Sequence, residues 1–216
     1  MSKRWRIGVG LIIAGLVIAI GWSFSQSPPA DRAAAGPAPP CPYGFVDRPS
    51  ETAPVLQRLR TTTDGAAVLA ALGQTEVRFC WGEIANPVVQ EGRLLLMSTA
   101  DAPPQRAARA AHLLHHAAHG LPLPDSIDAD ADCGALVAQA LRREAEAYAL
   151  EVRLRRRLGA EDTRYEFEPV FFETDPADQV ALIEGYLRAH PDGAENLEPL
   201  ARGYRERCEA AVAEAR

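Results

Sequence analysis

A histidine-rich segment in the middle of the chain constrains the fold more than any other. Residues 106–120 read RAARAAHLLHHAAHG and hold four of the five histidines in the protein. At about 100° per residue on an α-helix, His112, His116 and His119 fall within about 60° of one another, and His115 lies about 60° to the side of His112. The segment therefore predicts a helix with one imidazole-bearing face. Two histidines spaced four residues apart can ligate one metal ion.

A second long helix is predicted over residues 133–158, and its apolar side carries two carboxylates. Glu144 and Glu151 fall within the apolar stripe when the sequence is read with a period of 3.6 residues. A carboxylate that faces the core costs free energy unless it is paired or binds a metal ion. We therefore expect a buried cation or a metal beside these side chains.

Residues 75–119 resemble the core of zincin-type metallopeptidases. In that family a strand, a loop and a second strand precede a helix with the motif H-E-x-x-H. Here the helix reads HLLHH, so His112 and His116 match the two ligands, whereas Leu113 stands in place of the general-base glutamate. Residues 144–148, EAEAY, resemble the E-x-x-A pattern of zincins whose third ligand lies on the following helix.

The resemblance implies an α+β fold, mostly helical, with a small sheet and a core of two helices. It implies a Zn²⁺ ion held by His112, His116 and Glu144, with water as the fourth ligand. It also implies an edge strand beside the histidine helix, for which we take residues 94–97. The auxiliary candidates near the site are His115, His119 and Tyr148.

Leu113 determines the expected activity. A leucine cannot accept a proton, and loss of a general base typically costs about 10²–10⁴-fold in rate. We therefore expect a pseudoenzyme that retains metal-binding capacity. Two alternatives stay open: an active zinc peptidase with an atypical base, and a non-enzymatic helical module that binds a peptide or protein partner through a pH-sensitive histidine surface.

The N-terminus predicts a membrane anchor. Residues 2–6 are basic or neutral, and residues 7–24 are uncharged and almost wholly apolar, which is close to the minimum length for a span. Basic residues before the span place the N-terminus in the cytoplasm, so the lipid bilayer is an expected partner. The alternative is a cleaved secretory signal.

These features predict a single-pass protein of the cell membrane, whose folded domain lies in the periplasm or outside the cell. The net charge of −6 argues against a nucleic-acid partner. The expected segments are a cytoplasmic flank (1–6), an anchor (7–24), a Pro/Ala-rich linker (25–40) and an exported domain (41–216) with C-terminal helices at 176–216.

Four cysteines fit an exported domain, because an even count in an oxidising compartment suggests two disulfides. Three pairings are open, and buried free thiols are the alternative. We favour Cys41–Cys80, which would tie the start of the domain to its first strand. Cys133–Cys208 would then tie the second long helix to the last helix.

Overall fold

The computed structural model describes residues 37–160 and 162–216. Within them, four short strands form one sheet: β1 (Val46–Asp47), β2 (Arg78–Gly82), β3 (Val88–Gln90) and β4 (Leu94–Ser98). The helices are α1 (Pro49–Arg60), α2 (Thr63–Ala71), α3 (Pro103–His119), α4 (Cys133–Arg157), α5 (Glu168–Glu173), α6 (Gln179–Ala189) and α7 (Leu200–Glu214). The α+β, mostly helical part of the predicted fold class is thus confirmed.

The described part of the fold contains no transmembrane helix, and the predicted fold class is wrong on this point. No helix in residues 37–160 and 162–216 is long and apolar enough to cross a membrane. The longest, α4, has 25 residues but carries arginines and glutamates along its length, and such charges are costly in hydrocarbon. The expected anchor at residues 7–24 and the flank at 1–6 lie outside the described residues.

The sheet has the strand order β1-β2-β4-β3, with β3 at the edge that contacts α3. We expected residues 94–97 to form this edge, but they lie in β4, whose five residues are all buried. The turn at Glu91 and Gly92, both with positive φ, folds β3 back antiparallel onto β4, with Val88 opposite Leu96. Since β2 pairs parallel with the other side of β4, β4 is internal and β3 is the edge.

Helix α3 lies at the centre of the domain because its small side chains allow close packing. Its alanines at positions 107, 108, 110, 111, 117 and 118 are all buried. The helix contacts α1, α2 and strands β3 and β4, and its most extensive contact is with α4. This packing brings the histidine-bearing face of α3 against α4.

The C-terminal half surrounds α4 with short helices. Residues 162–174 include α5, and Tyr165, Phe167 and Phe171 are buried in a core shared with α4, α6 and α7. The last helix begins at Leu200, directly after Pro199. A proline cannot donate a backbone hydrogen bond and is tolerated only near a helix start.

Both predicted disulfides are present. Cys41 pairs with Cys80, and Cys133 pairs with Cys208. No free cysteine remains in the described residues. Two disulfides indicate an oxidising, extracytoplasmic compartment.

Candidate metal centre

Three donor side chains converge where α3 packs against α4. His112 and His116 lie one turn apart on α3, and Glu144 faces them from α4. Among the described residues, they are the one group of three histidine, cysteine or acidic side chains whose ligand atoms all lie within 4.8 Å of one another. His116 and Glu144 are buried, and the His112 side chain is 12% exposed.

The three donor atoms form a nearly equilateral triangle. Nε2 of His112 lies 3.3 Å from Nε2 of His116. Oε2 of Glu144 lies 3.3 Å from the former and 3.4 Å from the latter. Zinc–ligand bonds of about 2.0–2.1 Å set the edge of a regular tetrahedron at about 3.3–3.4 Å. The triangle therefore has the size of one face of a tetrahedral zinc site, with the fourth corner left for water or another ligand.

Hydrogen bonds alone cannot satisfy all three edges of this triangle. Each Nε2 carries at most one proton, and an ionised carboxylate only accepts. If both protons point to Glu144, no proton lies between the two nitrogens. If one proton lies between the nitrogens, one nitrogen–carboxylate edge has none. A cation at the centre would contact all three lone pairs at once.

A second layer of side chains orients the donors. Nδ1 of His112 lies 3.1 Å from Oε2 of Glu151, at an angle outside the hydrogen-bond range. The Tyr165 hydroxyl donates to Oε1 of Glu151 over 2.9 Å, and the Tyr204 hydroxyl donates to Oε1 of Glu144. Each glutamate thus offers one oxygen to a tyrosine and the other to a histidine, an arrangement that fixes ligands in metal sites.

The two imidazoles are not equally supported. Nδ1 of each imidazole is buried without a hydrogen bond in the described residues, but only Nδ1 of His112 has a carboxylate oxygen, that of Glu151, within 3.1 Å. A buried polar atom without a partner costs free energy. His112 is therefore the better oriented of the two candidate ligands.

Burial and charge act in opposite directions on the ionisation of the cluster. Burial disfavours the charged form of His112, but Glu144 and Glu151 outweigh it and raise the pKa of His112 to about 9. Burial also opposes ionised Glu144, yet His116 and His112 hold the pKa of Glu144 well below its usual value. The pKa of Glu151 is lowered against burial by His112 and by Arg109. The cluster is thus built around buried negative charge that a cation neutralises.

The tyrosines around the cluster remain donors. Burial is the main reason why the pKa values of Tyr148, Tyr165 and Tyr204 are all raised well above 10. Their hydroxyls therefore stay protonated at neutral pH. Tyr148 also packs edge-on against His112, with ring centroids 4.6 Å apart, so this auxiliary candidate lies at the cluster.

The other two auxiliary candidates do not belong to the donor triangle, although the ring of His115 lies edge-on to that of His116, with centroids 6.0 Å apart. The rings of His115 and His119 contact each other, with centroids 4.5 Å apart. Nε2 of His115 lies 3.8 Å from Oε2 of Glu146, which is half-exposed and also accepts from Arg142. Neither histidine lines the cleft that contains His112 and His116.

The cluster opens into a cleft of about 710 Å³. Its walls come from the edge strand β3, the loop after α3, and α7. Leu113 lines the cleft beside the candidate ligands and is 4% exposed. The residue that follows His112 thus presents a buried apolar side chain to the cleft and cannot accept a proton.

Sequence reasoning missed several residues of this site. The sequence predicts that Glu151 faces the core but does not identify His112 as its partner, although its spacing of seven residues from Glu144, two turns of α4, places both on one side. Tyr165 and Tyr204 come from distant segments, and no local pattern pointed to them. Cys208, four residues after Tyr204, was the one signal that this helix approaches α4.

The chain matches no protein-family model, no curated protein and no solved structure. The function of this domain is therefore inferred from the residues of the site and their geometry.

Proposed function

We propose that this domain binds one divalent metal ion, with Zn²⁺ as the first candidate, through Nε2 of His112, Nε2 of His116 and Oε2 of Glu144. The observation that carries this proposal is the triangle of donor atoms with edges of 3.3–3.4 Å. Two imidazoles and a carboxylate are a donor set that zinc accepts in sites with an open position. We relate this site to the metal site of zincins, with Leu113 in place of the general-base glutamate.

The expected role is metal binding without peptide hydrolysis. In a zincin the glutamate after the first histidine takes a proton from water that the metal polarises. Leu113 cannot do this. Glu144 is committed to the donor triangle, and Glu151 is held by His112 and Tyr165. Neither carboxylate is free to replace the missing base.

The two disulfides support an extracytoplasmic setting for this function. Zinc or a related ion would there add to the stability of a domain whose buried apolar residues form three separate clusters rather than one core. A ligand that binds only the folded state stabilises it in proportion to the logarithm of its concentration over Kd.

Metal content tests the proposal directly. The full chain, purified without chelator, is expected to hold one zinc ion per molecule by elemental analysis, and His112→Ala is expected to lose it. His115→Ala is the matched control, because it removes an imidazole from the same helix outside the cluster. Equal zinc content in the two variants, or none in the wild-type protein, would contradict the proposed site.

The kinship with zincins has its own test. Leu113→Glu restores a carboxylate beside the metal, and Leu113→Gln is the control with the same shape and no base. We expect zinc-dependent hydrolysis of an unstructured protein such as casein by the glutamate variant, about 10²–10⁴-fold above the glutamine variant. If both variants bind zinc and neither cleaves, the scaffold lacks the geometry of a peptidase.

A further inference from the structure

Helix α7 is fixed to the domain at two points. Its only buried residues are Tyr204 and Cys208, one turn apart on the same face. Tyr204 donates to Oε1 of Glu144, and Cys208 is bonded to Cys133. Both partners belong to α4, the helix that carries the carboxylate of the candidate metal centre. The contact with Glu144 and the disulfide therefore join the same two helices.

The remaining attachment of α7 is weak by comparison. Beyond these two residues, the helix adds only half-buried positions such as Leu200 and Ala201 to the core. An amphipathic helix derives most of its stability from the apolar face that it buries. With so little buried area, the position of α7 depends strongly on its covalent link to α4.

We infer that the Cys133–Cys208 disulfide is a positioning element of the metal centre: it holds α7 against α4, so that Tyr204 engages Oε1 of Glu144 and Oε2 faces the two histidines. This inference rests on the proposed function. Tyr204 is then a positioning residue that acts through Glu144. Partners that orient a ligating carboxylate typically change metal affinity by about 10–100-fold when they are removed.

The same helix forms part of the cleft. Leu200, Gly203, Tyr204, Arg207 and Ala211 all line it, at the three- and four-residue spacing of one helical face. Release of α7 would therefore loosen the carboxylate and remove a wall of the cleft in a single event. The second disulfide, Cys41–Cys80, joins strand β2 to the segment that precedes β1. It does not hold α7 in place.

The test is a titration of the oxidised full chain with Co²⁺, followed by visible absorption, in which the two disulfides serve as each other's controls. Replacing Cys133 and Cys208 by serine is expected to weaken Co²⁺ binding by about 10–100-fold, whereas replacing Cys41 and Cys80 is expected to change it by less than about threefold. Far-UV circular dichroism establishes that each variant retains its helices.

Tyr204→Phe separates positioning from stability. We expect it to weaken Co²⁺ binding by about tenfold with the disulfide intact. Its Co²⁺ spectrum should also shift, because the freed Oε1 can approach the metal as an extra donor. In the background without Cys133–Cys208, the tyrosine substitution should add little further loss, since both changes act on one contact.

The outcomes that overturn the inference are specific. Equal losses from the two disulfide variants, or losses from Tyr204→Phe and the Cys133–Cys208 variant that add in full, would show that the disulfide acts only through overall stability. Should the Cys133–Cys208 variant fail to fold, unchanged affinity and spectrum in Tyr204→Phe would overturn it. Absence of Co²⁺ binding by the wild-type chain would remove the proposed function and this inference together.

Discussion

Helix α3 carries two pairs of histidines with the same four-residue spacing and different surroundings. His112 and His116 face α4 at a position where Glu144 and Glu151 are both buried. His115 and His119 contact each other beside Glu146, which is half-exposed and shared with Arg142. The spacing of the histidines is identical in the two pairs. The difference is made by the facing helix, which supplies a desolvated carboxylate to one pair only.

Desolvation makes the two histidine pairs differ in the free energy of their contacts with carboxylates. An ion pair near water is screened and contributes about 0–1 kcal/mol, whereas buried charges interact strongly but require full compensation. His112 and His116, the inner pair, meet that requirement through two carboxylates and two tyrosine hydroxyls. The inner pair is therefore suited to bind a cation, whereas His115 of the outer pair, His115 and His119, faces the half-exposed carboxylate of Glu146.

The largest expected effect comes from neutralising Glu144, which faces His112 and His116, and is compared with neutralising Glu146, which faces His115. Glu144→Gln removes the charged donor and should lower Zn²⁺ affinity by at least about a thousandfold, beyond the 10–100-fold typical of second-layer changes. Glu146→Gln is the same substitution two residues away and should leave the affinity within about threefold. Competition with a chromogenic chelator measures both. Similar Zn²⁺ affinities for the two variants would contradict the distinction between the two histidine pairs.

A smaller effect is expected from pH in the absence of metal. Because the pKa of His112 rises from about 6.5 in the unfolded chain to about 9 in the folded domain, its contribution to stability is full below pH 6.5. It should decline as the pH rises through 9, by about 3 kcal/mol. The pKa of Glu144 is lowered, so the contribution of Glu144 is present above pH 4.5 and declines only in acid.

Urea unfolding in the presence of a chelator, between pH 6 and pH 9.5, measures this decline. His112→Ala should flatten the decline, and His115→Ala should retain it. With Zn²⁺ present the trend should weaken or reverse, because ligands bind metal in their deprotonated form. A wild-type stability that stays level between pH 6.5 and pH 9 would contradict the assigned electrostatics.

Local sequence patterns predicted much of this molecule. The period of the apolar residues located α3 and α4. The four cysteines led to the correct pairing. For the site, the resemblance to zincins selected His112 and His116 on α3, and of the two core-facing glutamates it selected Glu144.

Other features depended on contacts between distant segments. The order of β3 and β4 in the sheet is decided by a hairpin turn and by pairing with β2, which the strand patterns do not encode. Tyr165 and Tyr204 reach the site only after α5 and α7 have packed on α4. Similarly, nothing in the spacing of the four histidines of α3 shows which pair meets a buried acid.

Anomalous diffraction at the zinc absorption edge, from crystals of the full chain grown with Zn²⁺, would locate the bound ion. We expect one peak bonded at about 2.0–2.1 Å to Nε2 of His112, Nε2 of His116 and Oε2 of Glu144. A peak at His115, His119 and Glu146, or no peak on α3 at all, would contradict it.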